Sequence, residues 1–424
     1  MLEAIRDFFL HHGIDKIYWL AFSGGVDSRV LLDLCCQIRS SFPLQLNAVH
    51  INHQLHPQAA SWAKHCATVC QEYEVPFIEQ IINIKNENAF SLEAIAREQR
   101  YGILADCIGE NDILLTAHHQ DDQAETLLLQ LFRGAGVAGL SAMPTIKRFA
   151  KGYHARPLLA FSRSKINDYA KQHQLSWIED TSNLNTTFTR NFIRHDVLTL
   201  VKSRWPSITE TIARSASHCA EANELLEHFL FDIYQECKGS IENTLSVKKL
   251  LNIDLSKRKF VLRYWMKQFI DYLPNEKKLN TILNDVLNAN QDRMPCVKWK
   301  NVALRRYRDD LYLTCESLFS HPDKINWDLK SPVDLQGVGR LYAVLVQGQG
   351  LVSSIDSVSI AFRKHTNRSL KKNFQSAHIP PWERERTPLI FIGEQLAAIP
   401  GYFTNRMYSA KKEEQGYNFI LEKI

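Results

Sequence analysis

Short apolar runs alternate with amphipathic stretches along the first part of the chain. Five runs have the length and residue types of β-strands, at positions 17–22, 44–52, 77–82, 112–117 and 153–158. Between them apolar residues recur at helical spacing, as at Val30, Leu31 and Leu34. A strand, helix, strand rhythm is typical of a parallel sheet covered on both faces, so the pattern predicts an α/β, doubly wound fold.

The pattern changes after residue 206. Long helical stretches follow at 208–237 and 245–289, then a strand-like run at 301–314. Residues 318–332 lose periodicity and read as a connection, and beyond them β-type runs mix with glycine and proline. Because 424 residues exceed what one core usually organises, we predict three domains: 1–206, a mainly helical 207–317, and a small α+β domain at 333–424.

Bulk composition narrows the class of protein. The chain is 45% hydrophobic and 23% charged, contains no apolar run of membrane-spanning length, and begins with an acidic, interrupted segment unlike a signal peptide. We therefore expect a cytoplasmic protein with no membrane partner. The nine cysteines include no CxxC pair, which predicts reduced thiols and no structural zinc.

A glycine pair follows the first predicted strand, in the loop Ser23-Gly24-Gly25-Val26-Asp27-Ser28. A strand, turn and helix in this order offers free N–H groups and a helix dipole to an anion. The glycines permit close approach, Ser23 and Ser28 can donate hydrogen bonds, and Asp27 can hold Mg²⁺ against phosphate oxygens. A tight turn without ligand is the alternative, but it needs no such hydroxyls or carboxylate. The loop lacks the GK[ST] of a Walker A motif.

Acidic and basic residues recur farther along. If a helix begins near Asp121, Asp122 and Glu125 share a face at the carboxyl edge of the sheet, where they suit a cationic substrate or Mg²⁺. A solvated helix start is the alternative, since acids favour first turns. Arg190 and Arg194 can both face phosphate or a developing oxyanion, or lie on the surface.

A second glycine cluster, at 134–139, formally matches GxGxxG. It follows a helical pattern and not a strand, which is the wrong context for a dinucleotide site. We predict a helix end and a loop there.

These motifs together resemble a known family. SGGVDS resembles the signature of PP-loop ATP pyrophosphatases, which cleave ATP between the α and β phosphates. The series SGGVDS, VHINHQLH, AHHQDDQAETLLLQLFRGAGVAGL, RPLL, WIEDTSN and TRNFIR resembles the tRNA(Ile)-lysidine synthase family. The resemblance implies a ligase that adenylates the C2 oxygen of the wobble cytidine in an isoleucine tRNA with a CAU anticodon. The L-lysine ε-amine then displaces AMP.

The resemblance also implies site residues. It places ATP and Mg²⁺ at the glycine loop, with Asp27 as the metal ligand and a catalytic residue. It assigns lysine binding and catalysis to Asp122, Glu125 and Arg190, with His118 and Asp121 nearby. The individual assignment of Asp121, Asp122 and Glu125 to lysine or metal stays open. His56 departs from the arginine common among relatives. The residues implied to bind the nucleotide are Ala21, Ser23, Gly24, Gly25, Val26, Asp27, Ser28, His50 and Asn52.

Rival functions make distinguishable demands. A PP-loop tRNA thiolase commonly uses cysteines, often as CxxC, and an amidotransferase-like synthetase brings a glutaminase domain; the sequence offers neither. A non-catalytic nucleotide-dependent RNA-binding protein has no need for the full set of Ser23, Asp27, Asp122 and Glu125. Monomer and homodimer both remain open.

Two basic segments are candidates for tRNA contact. In the middle domain, residues 256–265 alternate basic and aromatic side chains. The alternative is a helix whose apolar residues face the core and whose cations are solvated. In the C-terminal domain, two acidic residues lie among seven basic ones that can track a phosphate backbone, with a solvated surface helix as the alternative. These seven are Arg363, Lys364, Arg368, Lys371, Lys372, Arg384 and Arg386.

Overall fold

The computed structural model describes residues 1–54, 56–82, 92–180, 185–270, 272–290, 293–315, 324–362, 368–376 and 378–423. The chain forms two compact units, Met1–Phe229 and Leu230–Ile424. The division falls inside one long helix, Ile208–Cys237. The two segments predicted as separate domains after residue 206 thus lie largely within the second unit.

A six-stranded sheet forms the centre of the first unit. Its strands are β1 (Ile17–Ala21), β2 (Gln45–Asn52), β3 (Phe77–Ile81), β4 (Ile113–Leu115), β5 (Ile146–Phe149) and β6 (Gly152–Ala155). The order across the sheet is β3-β2-β1-β4-β6-β5, and all neighbours are parallel except β5, which runs antiparallel to β6. The five predicted strands are confirmed, and β5 is an additional edge strand.

A series of α-helices accompanies this sheet. They are α1 (Leu2–His12), α2 (Val26–Arg39), α3 (Ala59–Glu72), α4 (Leu92–Asp106), α5 (Gln120–Phe132), α6 (Val137–Leu140), α7 (Arg163–Gln172), α8 (Thr189–Phe192), α9 (Leu198–Arg204) and α10 (Ile208–Cys237). Leu20 and Leu31 belong to a core cluster on one side of the sheet, whereas Val49, Leu104 and Leu114 form another. Burial on both faces explains the nearly continuous apolar strands and confirms the doubly wound α/β fold.

The second glycine cluster takes the predicted structure. Helix α5 ends at Phe132, and Gly134 adopts a φ of +70°, where its N–H donates to the Leu131 carbonyl. The segment is therefore a helix end and loop, and not a dinucleotide-binding turn.

The second unit contains three antiparallel sheets. Their strands are β7 (Leu245–Ser246), β8 (Cys296–Trp299), β9 (Val302–Tyr307), β10 (Asp310–Cys315), β11 (Ile325–Trp327), β12 (Val333–Leu335), β13 (Gly339–Gln347), β14 (Leu351–Val352), β15 (Val358–Ala361), β16 (Leu389–Ile392), β17 (Gln395–Ile399), β18 (Phe403–Thr404) and β19 (Gln415–Lys423). The strand orders are β7-β10-β9-β8, β11-β15-β16-β17-β18 and β12-β13-β19-β14.

In the described part of this unit, the sheets are accompanied by the α-helices α11 (Val247–Asn252), α12 (Leu255–Lys267), α13 (Glu276–Thr281) and α14 (Arg368–Ser376). The helical stretch predicted at 245–289 is thus divided into shorter helices. Pro274 lacks an N–H, and the Asn275 side chain accepts a hydrogen bond from the Lys278 N–H and starts α13 afresh. The strand-like run at 301–314 is a hairpin of β9 and β10 that turns at Arg308, whose φ is +57°.

None of the helices in the described part of the chain combines the length and apolar composition needed to cross a membrane.

Candidate active site

The glycine loop lies between the carboxyl end of β1 and the first turn of α2. Gly24 adopts a φ of +80°, and the Ser28 hydroxyl donates to the Gly25 carbonyl at 3.0 Å. The Ser23 and Ser28 hydroxyl oxygens lie 3.1 Å apart. The loop therefore gathers two hydroxyls and the start of a helix at one point, an arrangement suited to an anion.

Gly24 is also enclosed from behind. Its carbonyl accepts a hydrogen bond from the Ile178 N–H at 2.9 Å. A Cβ built at Gly24 lies 2.4 Å from the Ile178 Cδ1 and 2.8 Å from the Cys66 Sγ, so no side chain fits. This contact ties the loop to the start of the WIEDTSN segment, of which residues 181–183 lie outside the described residues.

We expect Gly24→Ala to lower the free energy of unfolding by about 2 kcal/mol, because the positive φ and the enclosed Cβ both oppose it. Gly25→Ala is the matched control, since the φ of Gly25 is −70° and the nearest atom to its added Cβ is the Ser23 Oγ at 3.6 Å. Chemical denaturation of both variants measures the difference. Equal stability of the two variants contradicts the expectation.

His50 and Asn52, predicted at the adenosine side, lie buried at the end of β2. The His50 Nδ1 is 2.8 Å from the Phe22 carbonyl oxygen, and the Asn52 amide donates to the Glu79 Oε1 at 2.9 Å. Ala21 ends β1 beside Val49 of β2. The three residues thus share one edge with the glycine loop, and contact with adenosine stays a prediction.

His56 stacks on Trp62, with ring centroids 4.5 Å apart, and its Nδ1 accepts a hydrogen bond from the Gln58 N–H. Both contacts are local to its own loop and the start of α3. These contacts give His56 a role in stabilising its own loop.

Asp122 and Glu125 share one face of α5, as helical spacing predicts, and that face holds two arginines. Asp122 Oδ1 accepts hydrogen bonds from the Nη2 atoms of Arg190 at 2.9 Å and Arg194 at 3.0 Å. Glu125, whose side chain is 0% exposed, accepts from the Arg190 Nε at 2.7 Å and the Arg194 Nε at 2.5 Å. The two carboxylates and two guanidinium groups form one closed cluster, hereafter the carboxylate–arginine cluster.

The arginines reach α5 because their own segment packs on it. Arg190 lies in α8, and Arg194 lies in the π-helical turn Ile193–Val197 that follows. Buried Ile193 packs with Ala124 and Leu198 in a small apolar cluster. That packing fixes both guanidinium groups over the carboxylates.

The charged groups of this cluster shift the pKa values of Asp122 and Arg190. Burial raises the pKa of Asp122, but His119 and Arg190 outweigh burial and hold that pKa below its usual range. Burial lowers the pKa of Arg190, and the Asp122 and Glu125 carboxylates more than offset the effect and raise it. Asp122 and Arg190 are therefore both charged at neutral pH.

His119 lies between the glycine loop and the carboxylate–arginine cluster. Its Nε2 is 3.8 Å from the Asp27 Oδ1 and 3.4 Å from the Asp122 Oδ2, and its side chain is almost fully buried. Its backbone N–H donates to the same Asp122 oxygen. Sequence reasoning did not single out His119; the only signal was a histidine doublet before a helix start.

Asp121 points to a different set of partners. Its Oδ1 accepts from the Lys202 Nζ at 2.8 Å, and its Oδ2 accepts from the Arg163 N–H at 3.0 Å. Burial raises the pKa of Asp121, but these two donors outweigh it and lower that pKa. Asp121 therefore links α5 to α9 and to the start of α7.

Asp27 lies in the glycine loop, and one of its carboxylate oxygens has no hydrogen-bond partner. Its Oδ1 is buried and accepts no hydrogen bond, and burial raises its pKa against the opposing influence of His119 and Arg163. A carboxylate oxygen without a partner beside a phosphate-type loop fits a Mg²⁺ ion, which prefers oxygen ligands.

A parallel sheet with an SGGxDS loop at the end of its first strand defines a PP-loop protein. Comparison agrees: the PP-loop domain family matches residues 4–201, the TilS substrate binding domain 245–312, and the TilS substrate C-terminal domain 355–421. The tRNA(Ile)-lysidine synthase of Coxiella burnetii is 39% identical over 421 residues, covering 96% of this chain and 93% of that protein. That of Methylococcus capsulatus is 38% identical and covers 92% of each.

The chain belongs to the tRNA(Ile)-lysidine synthase family. The predicted class, an ATP-dependent ligase with a PP-loop, is thereby confirmed. Among solved structures, the U34-tRNA thiolase NcsA from Methanococcus maripaludis is 18% identical with a TM-score of 0.42, covering 52% of this chain and 78% of its own. A likeness at that level carries no argument.

Proposed function

We propose that this protein converts the wobble cytidine of a CAU-anticodon isoleucine tRNA to lysidine. ATP adenylates the C2 oxygen with release of pyrophosphate, and the lysine ε-amine then displaces AMP. The observation that carries the proposal is His119, which lies 3.8 Å from Asp27 and 3.4 Å from Asp122. A phosphate site and a cation site that share one buried side chain suit a reaction in which AMP is transferred to the C2 oxygen and the amine then attacks C2.

On this proposal, the N–H groups of Gly24 and Gly25 and the hydroxyls of Ser23 and Ser28 bind the phosphates, with Val26 at the start of α2. Asp27 would hold Mg²⁺, which offsets negative charge on the departing pyrophosphate when it is bound. Ala21, His50 and Asn52 would line the adenosine side.

We assign the lysine to the carboxylate–arginine cluster. Glu125 is fully buried and both its oxygens accept arginine hydrogen bonds, so an ammonium group can enter only by exchange with a guanidinium group. Asp122 is the more accessible carboxylate, with an 11% exposed side chain, and exchange begins there. The carboxylates then bind the lysine cation and take up the proton that its ε-amine loses.

The thiolase alternative loses support at the loop itself. Cys66 packs behind Gly24, and burial raises the pKa of its thiol to about 12. A thiol that stays protonated at neutral pH is a poor nucleophile and a poor carrier of sulfur.

The test is incubation with the isoleucine tRNA transcript, ATP and labelled lysine, followed by nucleoside analysis. The proposal expects label in the wobble nucleoside and equal amounts of AMP and pyrophosphate. A CAU-anticodon methionine tRNA is the control substrate. Pyrophosphate release without lysine incorporation, or ADP as product, contradicts the proposal.

We propose that the second unit binds tRNA. Its basic side chains differ in the contacts that they already make within the protein. Lys257 lies 3.3 Å from Asp254, and Arg263 and Lys259 both pair with Glu276. These pairs favour the alternative of a solvated ionic surface for residues 256–265.

The basic residues of the C-terminal segment differ in burial and in position. Arg384 is buried and donates to the Ile379 carbonyl, so it supports the fold; Arg363 and Lys364 lie outside the described residues. Lys371 and Lys372 lie on α14. Because Arg308 of the hairpin donates to the Gln375 carbonyl of α14, removal of residues 333–424 disturbs the unit, and point variants test the surface better.

We expect Lys371→Gln with Lys372→Gln to reduce the slope of log affinity for tRNA against log salt by about 1 to 2, since each lost phosphate contact lowers it by roughly 0.7 to 0.9. Exposed Lys411 and Lys412, changed in the same way, are the matched control. Filter binding over a range of salt measures both slopes. Identical slopes assign α14 a structural role.

A further inference from the structure

Four polar side chains form a chain of hydrogen bonds next to the carboxylate–arginine cluster. The Arg156 Nη2 lies 3.1 Å from the His154 Nδ1, and the His154 Nε2 lies 2.8 Å from the Thr116 Oγ1. The Thr116 Oγ1 lies 2.7 Å from the His118 Nδ1. We call these four residues the Thr116 relay.

The relay is enclosed by protein except at His118. His154 is 0% exposed, Arg156 5% and Thr116 8%, whereas His118 is partly exposed. The Arg156 Nη1 donates to the Pro144 carbonyl, and the Thr116 N–H donates to the Ala155 carbonyl, so both ends of the buried part are anchored to backbone.

One arrangement of the hydrogen atoms gives every donor of the relay an acceptor. A guanidinium group can only donate, so the His154 Nδ1 must accept. A neutral His154 then carries its proton on Nε2 and donates it to the Thr116 oxygen. Among the described residues the Thr116 hydroxyl contacts the two histidines alone, so its proton has an acceptor only if it donates to the His118 Nδ1. His118 therefore carries its own proton on Nε2.

We propose that Arg156, His154 and Thr116 are positioning residues that fix His118 as the neutral tautomer protonated on Nε2, which makes it a hydrogen-bond donor to the substrate. The inference rests on the proposed function for the identity of that substrate. The neutral state agrees with the surroundings: burial lowers the pKa of His118 to about 3, although Asp122 opposes this, and burial and Arg156 lower the pKa of His154 to about 2.

This assignment divides the chemistry between two groups. His118 with a protonated Nε2 and an occupied Nδ1 cannot accept the proton of the lysine amine, so that proton goes to a carboxylate of the cluster. As the bond from lysine nitrogen to C2 forms, the bond from C2 to the oxygen of AMP breaks, and AMP leaves with the electron pair. The Nε2–H of His118 donates to the oxygen that gains this charge.

Thr116→Val and Thr116→Ser test the relay. Valine keeps the shape of threonine and removes the hydroxyl, whereas serine keeps the hydroxyl. Nitrogen-15 spectra of histidine-labelled protein report which ring nitrogen carries the proton, and the signal lost in His118→Gln identifies His118. We expect Nε2–H alone in wild type and in Thr116→Ser, and both tautomers in Thr116→Val. We also expect kcat for lysidine formation to fall about tenfold in Thr116→Val, the effect of one hydrogen bond, with KM for lysine unchanged, and to recover in Thr116→Ser.

A His118 protonated on Nδ1 in wild type overturns the inference, and this measurement needs no variant to fold. A Thr116→Val protein with unchanged tautomer and unchanged kcat also overturns it. A wild-type protein that shows the expected tautomer but forms no lysidine contradicts the proposed function and leaves the relay in place.

Discussion

We expect Asp27→Asn to reduce tRNA-dependent pyrophosphate release by at least about a thousandfold, because the variant loses the charge that would hold Mg²⁺ at the phosphate loop. Asparagine matches aspartate in size, so the loop geometry is kept. The Asp27 Oδ1 accepts no hydrogen bond in the structure and lies 3.8 Å from the His119 Nε2. Replacing this carboxylate by an amide therefore removes little that stabilises the fold.

The same change has a defined effect on stability. Burial raises the pKa of Asp27 above its usual value, so the folded protein binds the proton more tightly than the unfolded chain. Such a group destabilises the folded state at every pH above its unfolded pKa, and the destabilisation disappears as the pH falls below it. Asp27→Asn removes that cost, and we expect a melting temperature at neutral pH equal to or above that of wild type.

Pyrophosphate release and calorimetric melting together measure this prediction. Asp168→Asn, on the exposed side of α7, is the control for loss of one carboxylate from the same unit, and it should keep both activity and stability. A folded Asp27→Asn protein with activity near wild type contradicts the metal-binding role. A large fall in melting temperature gives Asp27 a structural role that its open Oδ1 does not suggest.

The glycine loop was predictable from sequence because all its determinants are local. A buried strand, two glycines and a helix start occupy consecutive positions, and the structure places β1, Gly24 and α2 accordingly. The common face of Asp122 and Glu125 followed from helical spacing in the same way. Local order of this kind needs no knowledge of the rest of the chain.

The partners across the fold were not predictable. For Arg190 and Arg194 the sequence left open whether they face a phosphate or an oxyanion or lie on the surface. In the structure they bind the carboxylates of α5, and apolar packing of Ile193 holds their segment there. Arg384 looked like a surface cation, and its burial depends on a bond to the Ile379 carbonyl. Sequence spacing holds no information on contacts that tertiary packing creates.

His119 and the three residues of the Thr116 relay behind His118 were missed for a related reason. A histidine doublet gives no sign of which ring enters the site, and His154 lies in a strand where a polar side chain reads as an interruption. Their significance depends on distances between the ends of β4 and β6, which only the sheet order brings together.

The largest effect on stability is expected from Glu125→Gln. Its carboxylate is fully buried and accepts hydrogen bonds from both Arg190 and Arg194, so the neutral amide leaves two partly buried guanidinium groups with Asp122 alone. Breaking one side of a buried ionic cluster costs about 3 kcal/mol or more. We expect the unfolding free energy of the first unit to fall by about that amount.

A matched control exists in the second unit. Glu276 also pairs with two cations, Lys259 and Arg263, but its side chain is 54% exposed. Because water screens exposed ion pairs, Glu276→Gln should cost about 0.5 kcal/mol or less. Calorimetry, with each variant compared with wild type, measures both changes. Equal costs contradict the role of burial in this argument.

Glu125→Gln also separates the use of lysine from the use of ATP. The amide keeps the size of the side chain and removes one negative charge from the proposed lysine site, so KM for lysine should rise about tenfold or more. The phosphate loop is unchanged, and tRNA-dependent pyrophosphate release should persist at least in part at a temperature where the variant is folded. Saturation with lysine, followed at fixed tRNA and ATP, measures the first effect, and pyrophosphate release without lysine measures the second. An unchanged KM for lysine together with collapsed ATP affinity assigns Glu125 to the phosphate and metal site, and lysine must then bind elsewhere.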